Sequence, residues 1–259
     1  MGINIKNSVK TAAAMQVSED WLLIHDDFED GSLQRRGGPT LHRIFGNELA
    51  VNAGDTLHVI MWKILADNQK ILGTKKTQKL IEEFYIMLSR TALGQTVEIK
   101  WSLENKLDFT DDDWFFICDG KTSYYTIAGP MRLAAIIATA TDQQLEKITK
   151  FGLYLGRCFQ LVDDLLDLTS DFAGLKKQKG NDIYEGKRTI MLGHLLRNAG
   201  SNDKKRVIRI LAKGRIQKKQ KDVDWIIKKM NDYGSIEYGK SLAMELKHKA
   251  LEIFEKDLG

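Results

Sequence analysis

Two stretches of this sequence carry the same arrangement of carboxylates: DDFED at residues 26–30 and DDLLD at residues 163–167. In each stretch, acidic residues stand at positions i, i+1 and i+4 of an apolar run with helical spacing. An α-helix places positions i and i+4 on one face, about 6 Å apart along its axis. Burying such charge without partners is very costly, so we expect the two stretches to face each other across a cavity and to share cations. Hard oxygen ligands of this kind suit Mg²⁺, which also binds the phosphate groups of substrates.

The composition is typical of a soluble globular protein. Of the 259 residues, 43% are hydrophobic and 29% are charged, which suffices for one domain over residues 1–259. The net charge of +4 does not predict nucleic-acid binding. The sequence begins without an apolar signal segment, and no run reaches the ~18 apolar residues of a membrane span. Cys118 and Cys158 lack metal or redox spacing and are expected to be structural thiols, so we expect a cytoplasmic protein.

Helical periodicity dominates the sequence, and it contains only two prolines. We find no alternating strand pattern and predict an all-α fold. Loops are predicted over residues 31–38, which contain three glycines, and over the polar residues 171–186. The apolar stretch 114–139 is expected to break near Pro130. The predicted helices span residues 7–28, 49–66, 77–103, 114–139, 143–168, 189–198, 204–211, 223–233 and 236–256.

Basic residues follow each acidic stretch. Arg35-Arg36 lies in the glycine-rich loop after the first stretch, whereas Lys177 and Lys187-Arg188 follow the second. Lys121-Thr122 lies on a predicted helix between them. A diphosphate group leaves carbon with difficulty, and magnesium together with lysines and arginines stabilises the negative charge that develops. Two acidic helices, each followed by a basic loop, therefore indicate a site for a diphosphate ester.

The order of these motifs resembles that in the trans-isoprenyl diphosphate synthases, the family of farnesyl and geranylgeranyl diphosphate synthases. The stretches LIHDDFED at 23–30 and RRGGPTLH at 35–42 resemble the first aspartate-rich motif of that family, and FQLVDDLLD at 159–167 resembles the second. Four further blocks match in the family's order: NAGD at 52–55, GQTVE at 94–98, KT at 121–122 and GNDIYEGK at 180–187. The resemblance covers roughly residues 12–196.

The resemblance implies an isoprenoid synthase-type, all-α helical bundle around a deep central pocket, usually as a homodimer. It implies up to three Mg²⁺ ions, with an allylic diphosphate and isopentenyl diphosphate as substrates. The implied metal ligands are Asp26, Asp27, Asp30, Asp163 and Asp167. The implied substrate-binding residues are Arg35, Arg36, Lys121, Thr122, Gln160, Lys177 and Lys187. The implied catalytic residues are Asp26, Asp27, Asp30, Lys121, Asp163 and Lys177.

The resemblance also implies a reaction course. Ionisation of the allylic diphosphate would give a cation that the alkene of isopentenyl diphosphate attacks, and a proton would then be lost, with the departing diphosphate as the expected base. Arg36 would help to hold isopentenyl diphosphate. Gln160, which lies one turn before Asp164 on the same helical face, would support the cation site together with Thr122.

The length of the product depends on the floor of the pocket. Helical spacing places Leu22 and Leu23 on or near the face of Asp26, so both are candidates for the pocket wall. The family's product-length position is the fifth residue before the first aspartate, here Trp21, which a helical wheel places off to the side. A bulky floor and the absence of an insertion between the aspartates of the first motif resemble enzymes that make C15 to C20 products, and we favour C20.

The sequence departs from the family at its start. Relatives carry additional N-terminal helices and a Gly-Lys-x-Arg segment for isopentenyl diphosphate, but only 25 residues precede Asp26 here and they contain no such segment. Glu19 also stands where relatives often have histidine. Either the given chain is an incomplete copy of a longer protein, or it is a shortened homologue that condenses poorly. His42 and Arg36 would retain part of the second substrate's site.

Three other functions compete with chain elongation. The missing upstream cations favour a non-catalytic or allylic-diphosphate-binding partner subunit of a longer synthase, although such a subunit does not need intact acidic motifs. His25 beside Asp26 suggests a metal-dependent phosphohydrolase, but the further histidine ligands of such a site do not form a pattern here. Terpene cyclases share the fold and one acidic motif, and a hydrocarbon product would indicate that class.

Overall fold

The computed structural model describes residues 5–169 and 179–258, and α-helices account for most of them. The helices are α1 (Val9–Glu29), α2 (Leu41–Phe45), α3 (Asn47–Ala66), α4 (Gln69–Leu103), α5 (Asp111–Cys118), α6 (Gly129–Ile137), α7 (Asp142–Thr169), α8 (Asn181–Glu185), α9 (Ile190–Asn198), α10 (Ser201–Leu211), α11 (Gln220–Asp232) and α12 (Ser235–Ile253). Short 3₁₀ turns lie at Ile5–Asn7 and Arg215–Gln217, and π-helical segments lie at Asp119–Ala128 and Phe254–Leu258. The prediction of an all-α fold is confirmed.

The loop predicted over residues 31–38 contains a small hairpin. Strands β1 (Gln34–Arg35) and β2 (Gly38–Pro39) pair antiparallel, two residues each. Arg36 and Gly37 form the turn between them with φ values of 52° and 83°, the left-handed region that glycine adopts most readily. The turn folds the chain back immediately after α1, so that Arg35 lies against the end of that helix.

Two helix boundaries differ from the prediction for identifiable reasons. Helix α4 begins at Gln69 rather than at residue 77, but Gly73 inside it has a φ of 76° and interrupts the regular helix. The regular part therefore begins close to Thr77, whose hydroxyl donates to the Gly73 carbonyl at 2.9 Å. Residues 181–185, predicted as loop, form the one-turn helix α8. None of the helices that the structure describes is long and apolar enough to cross a bilayer.

The hydrophobic core has two parts. One surrounds the short helix α9, whose Met191, Leu192 and Leu195 are almost wholly buried among α5, α7, α11 and α12. The other lies where α3, α4 and α6 meet and includes Phe84 and Leu133. Burial of side chains of this size contributes roughly 1.5–3 kcal/mol each. These two parts hold α1 and α7, the helices that carry the acidic stretches, in fixed relative positions.

The chain from Asp111 to Ile137 is helical without a break, contrary to the prediction of an interruption near Pro130. Residues Asp119–Ala128 are π-helical, with hydrogen bonds between residues five apart instead of four. Pro130 lies in the first turn of α6, directly after this segment, where the hydrogen-bond pattern changes and a missing N–H is tolerated. The helical run therefore passes the proline.

Glycines allow the π-helical segment to pack closely against its neighbours. A Cβ atom on Gly94 of α4 would lie 2.7 Å from the backbone nitrogen of Lys121, and one on Gly156 of α7 would lie 2.4 Å from Cα of Ser123. Real Cβ atoms do not approach other atoms this closely, so both positions require glycine. The backbone that carries Lys121 and Thr122 is thereby fixed between α4 and α7.

Candidate active site

The two acidic stretches lie around one cavity, as the sequence predicts. We call residues Asp26–Asp30 the first cluster and residues Asp163–Asp167 the second cluster. They stand near the carboxyl ends of α1 and α7. A cavity of about 580 Å³, the polar cavity, is lined by carboxylates from both clusters and by Asp182 and Glu185 of α8. Asp26 comes from the first cluster, and Asp163 and Asp164 come from the second.

Cations from two segments bind the first cluster. The Nε atom of Arg35 lies 2.7 Å from Asp27 Oδ2, and its Nη2 atom lies 3.3 Å from Asp26 Oδ2. The Nζ atom of Lys121 lies 3.1 Å from Asp26 Oδ1 and 2.5 Å from Glu98 Oε2. Burial would raise the pKa of Asp26, but Lys121 and its other cationic neighbours hold that pKa below its usual value.

Lys187 connects the first cluster to α8. Its Nζ atom lies 2.9 Å from Glu185, 3.3 Å from Asp30 and 3.9 Å from Asp182. Burial would lower the pKa of Lys187, but the three carboxylates raise it well above its usual value. Lys187 therefore stays charged and joins residues that lie more than 150 positions apart in the sequence.

Among the described residues, Asp164 and Asp167 of the second cluster accept hydrogen bonds from neutral donors. Asp164, 4% exposed, accepts a hydrogen bond of 2.7 Å from Gln160, and Gln160 accepts one of 2.9 Å from the Thr122 hydroxyl. Asp167 accepts from the backbone N–H groups of Asn181 and Asp182 at 3.1 and 3.2 Å. Gln160 and Asp164 thus lie on one helical face, as the spacing predicts, and Thr122 is hydrogen-bonded to Gln160. Their role at the cation site stays a prediction.

Two carboxyls of the clusters have raised pKa values, chiefly because they are buried. Burial raises the pKa of Asp30 to about 6, because Lys187 opposes the effect only in part and Asp26 and Glu185 add to it. Burial likewise raises the pKa of Asp164 to about 7, with the Asp163 charge adding to the effect.

The donor set of this cavity fits a hard divalent cation. Among the described residues, no hydrogen-bond partner reaches two buried oxygen atoms near this cavity: Oδ1 of Asp27 in the first cluster, and Oε1 of Gln95, which lines the adjoining apolar cavity. Over residues 5–169 and 179–258, no three Asp, Glu, His or Cys side chains already form a set of metal ligands, since lysine and arginine side chains lie between the carboxylates. An incoming cation that also contacts a phosphate group would compensate the carboxylates that remain, and Mg²⁺ has this preference.

A second, apolar cavity of about 830 Å³ begins where the polar cavity ends. Leu23, Asp26, Lys121 and Thr122 line both, so the two spaces meet at the first cluster. The apolar cavity extends along α1 as far as Ser8. Its walls include Met15 and Leu22 of α1, Tyr125 of the π-helical segment, and Leu133 and Ile137 of α6.

Trp21, Leu22 and Leu23 all line the apolar cavity. The helical wheel placed Trp21 off to the side, but its large indole still reaches the wall, where it packs against His58 with ring centroids 4.7 Å apart. The two sequence arguments for the product-length position therefore lead to the same wall of the cavity. The roles of Trp21 and Leu22 in product length stay predictions.

One predicted substrate-binding residue, Arg36, is not brought to the two acidic clusters. The Nη2 atom of Arg36 lies 3.1 Å from Glu19 Oε1, in an ion pair that is largely exposed at the edge of the polar cavity. Glu19, the departure for which the sequence offers no physical reason, thus pairs with the arginine expected to hold isopentenyl diphosphate. Lys177 lies outside the described residues.

Sequence reasoning missed four polar residues of the site. Gln95 donates to Glu29 at 2.6 Å and to Asp26 at 3.3 Å, and Glu98 holds Lys121. Asp182 and Glu185 both lie within 4 Å of Lys187. All four stand in blocks that resemble the family, GQTVE and GNDIYEGK, so their position in a matched block was the available signal.

Comparison with known proteins places the chain among isoprenoid synthases. The family model described as polyprenyl synthetase matches residues 3–230. A geranylgeranyl diphosphate synthase of Saccharolobus solfataricus is 32% identical over 252 residues, covering 97% of this chain and 74% of that protein.

Two solved structures share the fold. The geranylgeranyl pyrophosphate synthetase of Pyrococcus horikoshii is 29% identical with a TM-score of 0.85, covering 99% of this chain and 76% of that one. The geranylgeranyl pyrophosphate synthase of Corynebacterium glutamicum, complexed with isoprenyl diphosphate and magnesium, is 26% identical with a TM-score of 0.90, covering 99% and 75%. The match over most of the sequence, together with the paired acidic clusters, shows that this chain belongs to the polyprenyl synthetase family.

Proposed function

We propose that this chain is a trans-prenyltransferase that condenses isopentenyl diphosphate with an allylic diphosphate to give a short-chain prenyl diphosphate. The observation that carries the proposal is the junction of the two cavities at the first cluster. A charged space suited to a diphosphate opens directly into an apolar space suited to a hydrocarbon chain. Asp26, Lys121 and Thr122 stand at this junction, where the bond between carbon and diphosphate would lie.

A divalent metal belongs to the proposed mechanism. The structural relative from Corynebacterium glutamicum holds magnesium together with isoprenyl diphosphate. In this chain the proposed ligands of up to three Mg²⁺ ions are Asp26, Asp27, Asp30, Asp163 and Asp167. When bound, Mg²⁺ neutralises the charge that develops on the departing diphosphate.

The basic residues of the polar cavity would bind and orient the allylic diphosphate. Arg35, Lys121 and Lys187 each already contact a carboxylate of the first cluster, so their charged groups point to the place where a diphosphate would meet the metal. Fixed charges aimed at the leaving group stabilise the transition state without reorganising during the reaction. Lys177 is proposed to join them, and Arg36 to hold the second substrate.

The apolar cavity would protect the allylic cation from water. Its walls are mainly aliphatic and aromatic, so a prenyl chain within it excludes solvent from the reacting carbon. Thr122 and Gln160 present oxygen atoms near the junction, and their mutual hydrogen bond fixes both side chains. The proton lost after condensation would pass to the departing diphosphate, which lies beside the new bond.

The size of the apolar cavity is compatible with the proposed C15 to C20 products, of which we favour C20. Ser8 and Asp26 mark its two ends on α1, and 18 helical residues span about 27 Å. We propose that Trp21 and Leu22 limit how far the growing chain extends. Replacement of Trp21 by alanine should lengthen the main product, and replacement of exposed Val9 should not. An unchanged product length in both variants would exclude Trp21 as the determinant.

The experiment that tests the function is product analysis. The purified protein is incubated with isopentenyl diphosphate, Mg²⁺ and either dimethylallyl or farnesyl diphosphate, and the prenyl diphosphates are separated by chain length. We expect a longer prenyl diphosphate that is absent when Mg²⁺ is chelated. If no product forms alone, but the protein changes the product length of a full-length synthase added to it, the role is that of a partner subunit.

A homodimer is proposed from an exposed apolar surface. Val59 and Ile60 of α3 are 69% and 44% exposed, and Ile81 and Tyr85, one turn apart on α4, are also exposed. Burial of exposed apolar side chains favours association, and symmetric dimers are the commonest soluble oligomers. Light scattering on the purified protein should give twice the mass of the chain. A double variant with Val59→Lys and Tyr85→Lys should give the mass of a single chain.

A further inference from the structure

Three cations at one wall of the polar cavity are not explained by the proposed roles. Arg188 and Arg215 line this wall, and Lys218 lies behind them, flanking Gly186 together with Arg188. A Cβ atom on Gly186 would lie 3.3 Å from an Nη atom of Arg188 and 3.6 Å from Nζ of Lys218. Two positive groups therefore approach the same point of the backbone.

The charges of Arg188 and Lys218 are buried, and neither has an ion-pair partner within residues 5–169 and 179–258. Each residue is 6% exposed. Arg188 donates to the carbonyl of Lys106 and to the side chain of Asn105, both at 2.8 Å, and to the carbonyl of Gly186. Lys218 donates to the carbonyl of Tyr184 at 2.9 Å. Among the described residues, no carboxylate lies within ion-pair distance of either cation.

Glu185, the acidic residue beside these cations, already forms two ion pairs. Glu185 binds Lys187 at 2.9 Å through Oε2 and Arg215 at 3.0 Å through Oε1. Glu185 is thus shared by Lys187 and Arg215, and the other carboxylates near Lys187, Asp30 and Asp182, form no ion pair with Arg188 or Lys218 among the described residues. Burial, together with the positive charges of Arg188 and Arg215, lowers the pKa of Lys218 to about 8, although the charge of Glu185 opposes this effect.

Buried charge without a counter-charge is costly, and its neutral hydrogen-bond partners fix its position but leave the charge itself uncompensated. We propose that Arg188, Arg215 and Lys218 form a subsite for a phosphate-group anion on the α8 side of the polar cavity. The subsite is separate from Arg36, which lies at the other side with Glu19, and from the carboxylates assigned to metal. This inference depends on the proposed function only because the subsite and the proposed reaction site share one cavity.

The chemistry of the ligand follows from the donors. Two guanidinium groups and one ammonium group offer several N–H donors to the oxygens of a tetrahedral anion, and arginine binds phosphate in a bidentate manner. The diphosphate released by prenyl transfer, the diphosphate group of a bound substrate and free phosphate all present these oxygens. A subsite here would hold such an anion beside Lys187 without a metal ion.

Binding without metal tests the inference independently of turnover. Isothermal titration calorimetry is carried out in EDTA with inorganic diphosphate, orthophosphate and isopentenyl diphosphate in separate arms. In the Lys218→Met variant we expect the affinity for inorganic diphosphate to fall about tenfold. Lys219→Met, which removes an exposed neighbouring charge, should leave the affinity unchanged.

Comparison of the arms identifies the source of the anion. A similar loss for all three anions supports a site for one phosphate group, and a loss confined to inorganic diphosphate supports retention of the released co-product. The inference is overturned if the native protein binds none of the anions in EDTA, or if Lys218→Met and Lys219→Met bind them equally well. Prenyl transfer by the native protein is measured in parallel, so that failure of the proposed function is recognised separately.

A stability measurement excludes a merely structural role for Lys218. If Lys218 serves as a structural donor to Tyr184, the methionine variant should melt at a lower temperature and bind diphosphate normally, which would contradict the inference. We expect instead an unchanged or higher melting temperature in the ligand-free variant, with weaker binding. Arg215→Gln provides a second variant, and we expect it to weaken binding in the same way.

Discussion

The two acidic clusters have similar sequences but different surroundings. In the first cluster, Asp26 and Asp27 form ion pairs with Lys121 and Arg35. In the second cluster, Asp164 accepts a hydrogen bond from neutral Gln160. No lysine or arginine among the described residues lies within ion-pair distance of Asp163 or Asp164.

The difference suggests two modes of metal binding for the same pattern of carboxylates: with displacement of a bound cationic side chain, or without it. At the first cluster, an incoming cation has to compete with Arg35 and Lys121, which would then be free to bind the diphosphate. At the second cluster, it meets carboxylates whose charge is not yet compensated, as the raised pKa of Asp164 indicates. On the proposed function, we therefore expect metal binding at the first cluster to release cations toward the substrate, and metal binding at the second cluster to be direct.

Neutralising one carboxylate in each cluster should have the largest effect. We expect Asp26→Asn and Asp163→Asn each to lower kcat by about 10²–10³-fold, the range measured when one stabilising group is removed from a transition state. Asp26→Asn should also lower the melting temperature because it removes a partner of Lys121, whereas Asp163→Asn should not. Steady-state kinetics and thermal unfolding measure both effects.

Asp20→Asn is the matched control for these variants. Asp20 lies on α1 but does not line either cavity, and its carboxylate contacts Gln16. It should leave kcat within about twofold of the native value. Full activity of Asp26→Asn or Asp163→Asn would contradict the assignment of that cluster to the reaction.

Removing a cation from the first cluster should have the next largest effect. Lys121→Gln takes away a charge-assisted contact to the diphosphate, so kcat/KM for the allylic substrate should fall about 100-fold. In the absence of diphosphate, the same variant should bind Mg²⁺ more tightly, because a competing cation is gone. Exposed Lys100→Gln serves as the control. Weaker Mg²⁺ binding by Lys121→Gln would contradict competition at the first cluster.

The stability of the metal-free protein should depend on pH. The pKa of Asp30 is raised to about 6 and that of Asp164 to about 7, so both carboxyls bind protons more tightly in the folded state. Their contribution is present at low pH and is lost as the pH rises through these values. We expect the free energy of unfolding to fall by on the order of 2 kcal/mol between pH 5 and pH 8.

Urea unfolding in EDTA at several pH values measures this slope. The carboxyls of Asp26 and Glu185, whose pKa values are lowered, act in the opposite direction, but they do so below about pH 4.5 and outside this range. Asp164→Asn should flatten the slope, and added Mg²⁺ should stabilise the native protein more at pH 8 than at pH 5. An equal slope in Asp164→Asn would assign the pH dependence to other groups.

Loss of a neutral contact at the second cluster should have the smallest effect. Gln160→Ala removes hydrogen bonds to Asp164 and Thr122, each worth about 1 kcal/mol, so kcat should fall about five- to tenfold. Gln143→Ala, at an exposed position of the same helix, should not change it. A loss as large as that of Lys121→Gln would show that the two clusters are not held in different ways.

The helical fold was predictable from short-range periodicity. The meeting of the two clusters was predictable from the cost of burying charge without partners and from the family resemblance. The shared helical face of Gln160 and Asp164 follows from periodicity, because four residues make about one turn. The expected break near Pro130 was wrong, since a π-helical segment precedes the proline and no local pattern indicated it.

The remaining part of the site depends on contacts between distant segments. The ion pair of Glu98 with Lys121 joins α4 to the π-helical segment. Lys187 pairs both with Glu185 of α8 and with Asp30 at the end of α1, so it joins two further segments. The position of Trp21 depends on the size of its ring and on His58, which a helical wheel does not include. One-domain organisation over residues 1–259 stays a prediction.

The contact between Lys121 and Asp26 depends on an uncharged residue, Gly94, because Gly94 packs against the Lys121 backbone. Because Gly94 has no side chain, α4 packs directly against the backbone of the π-helical segment, and this packing fixes the position of the Lys121 backbone relative to Asp26. A single added methyl group would push that backbone outward and draw the ammonium group away from its carboxylate. We therefore expect catalysis to be sensitive to packing at this uncharged position, so that a substitution that alters no polar group would act as an active-site mutation.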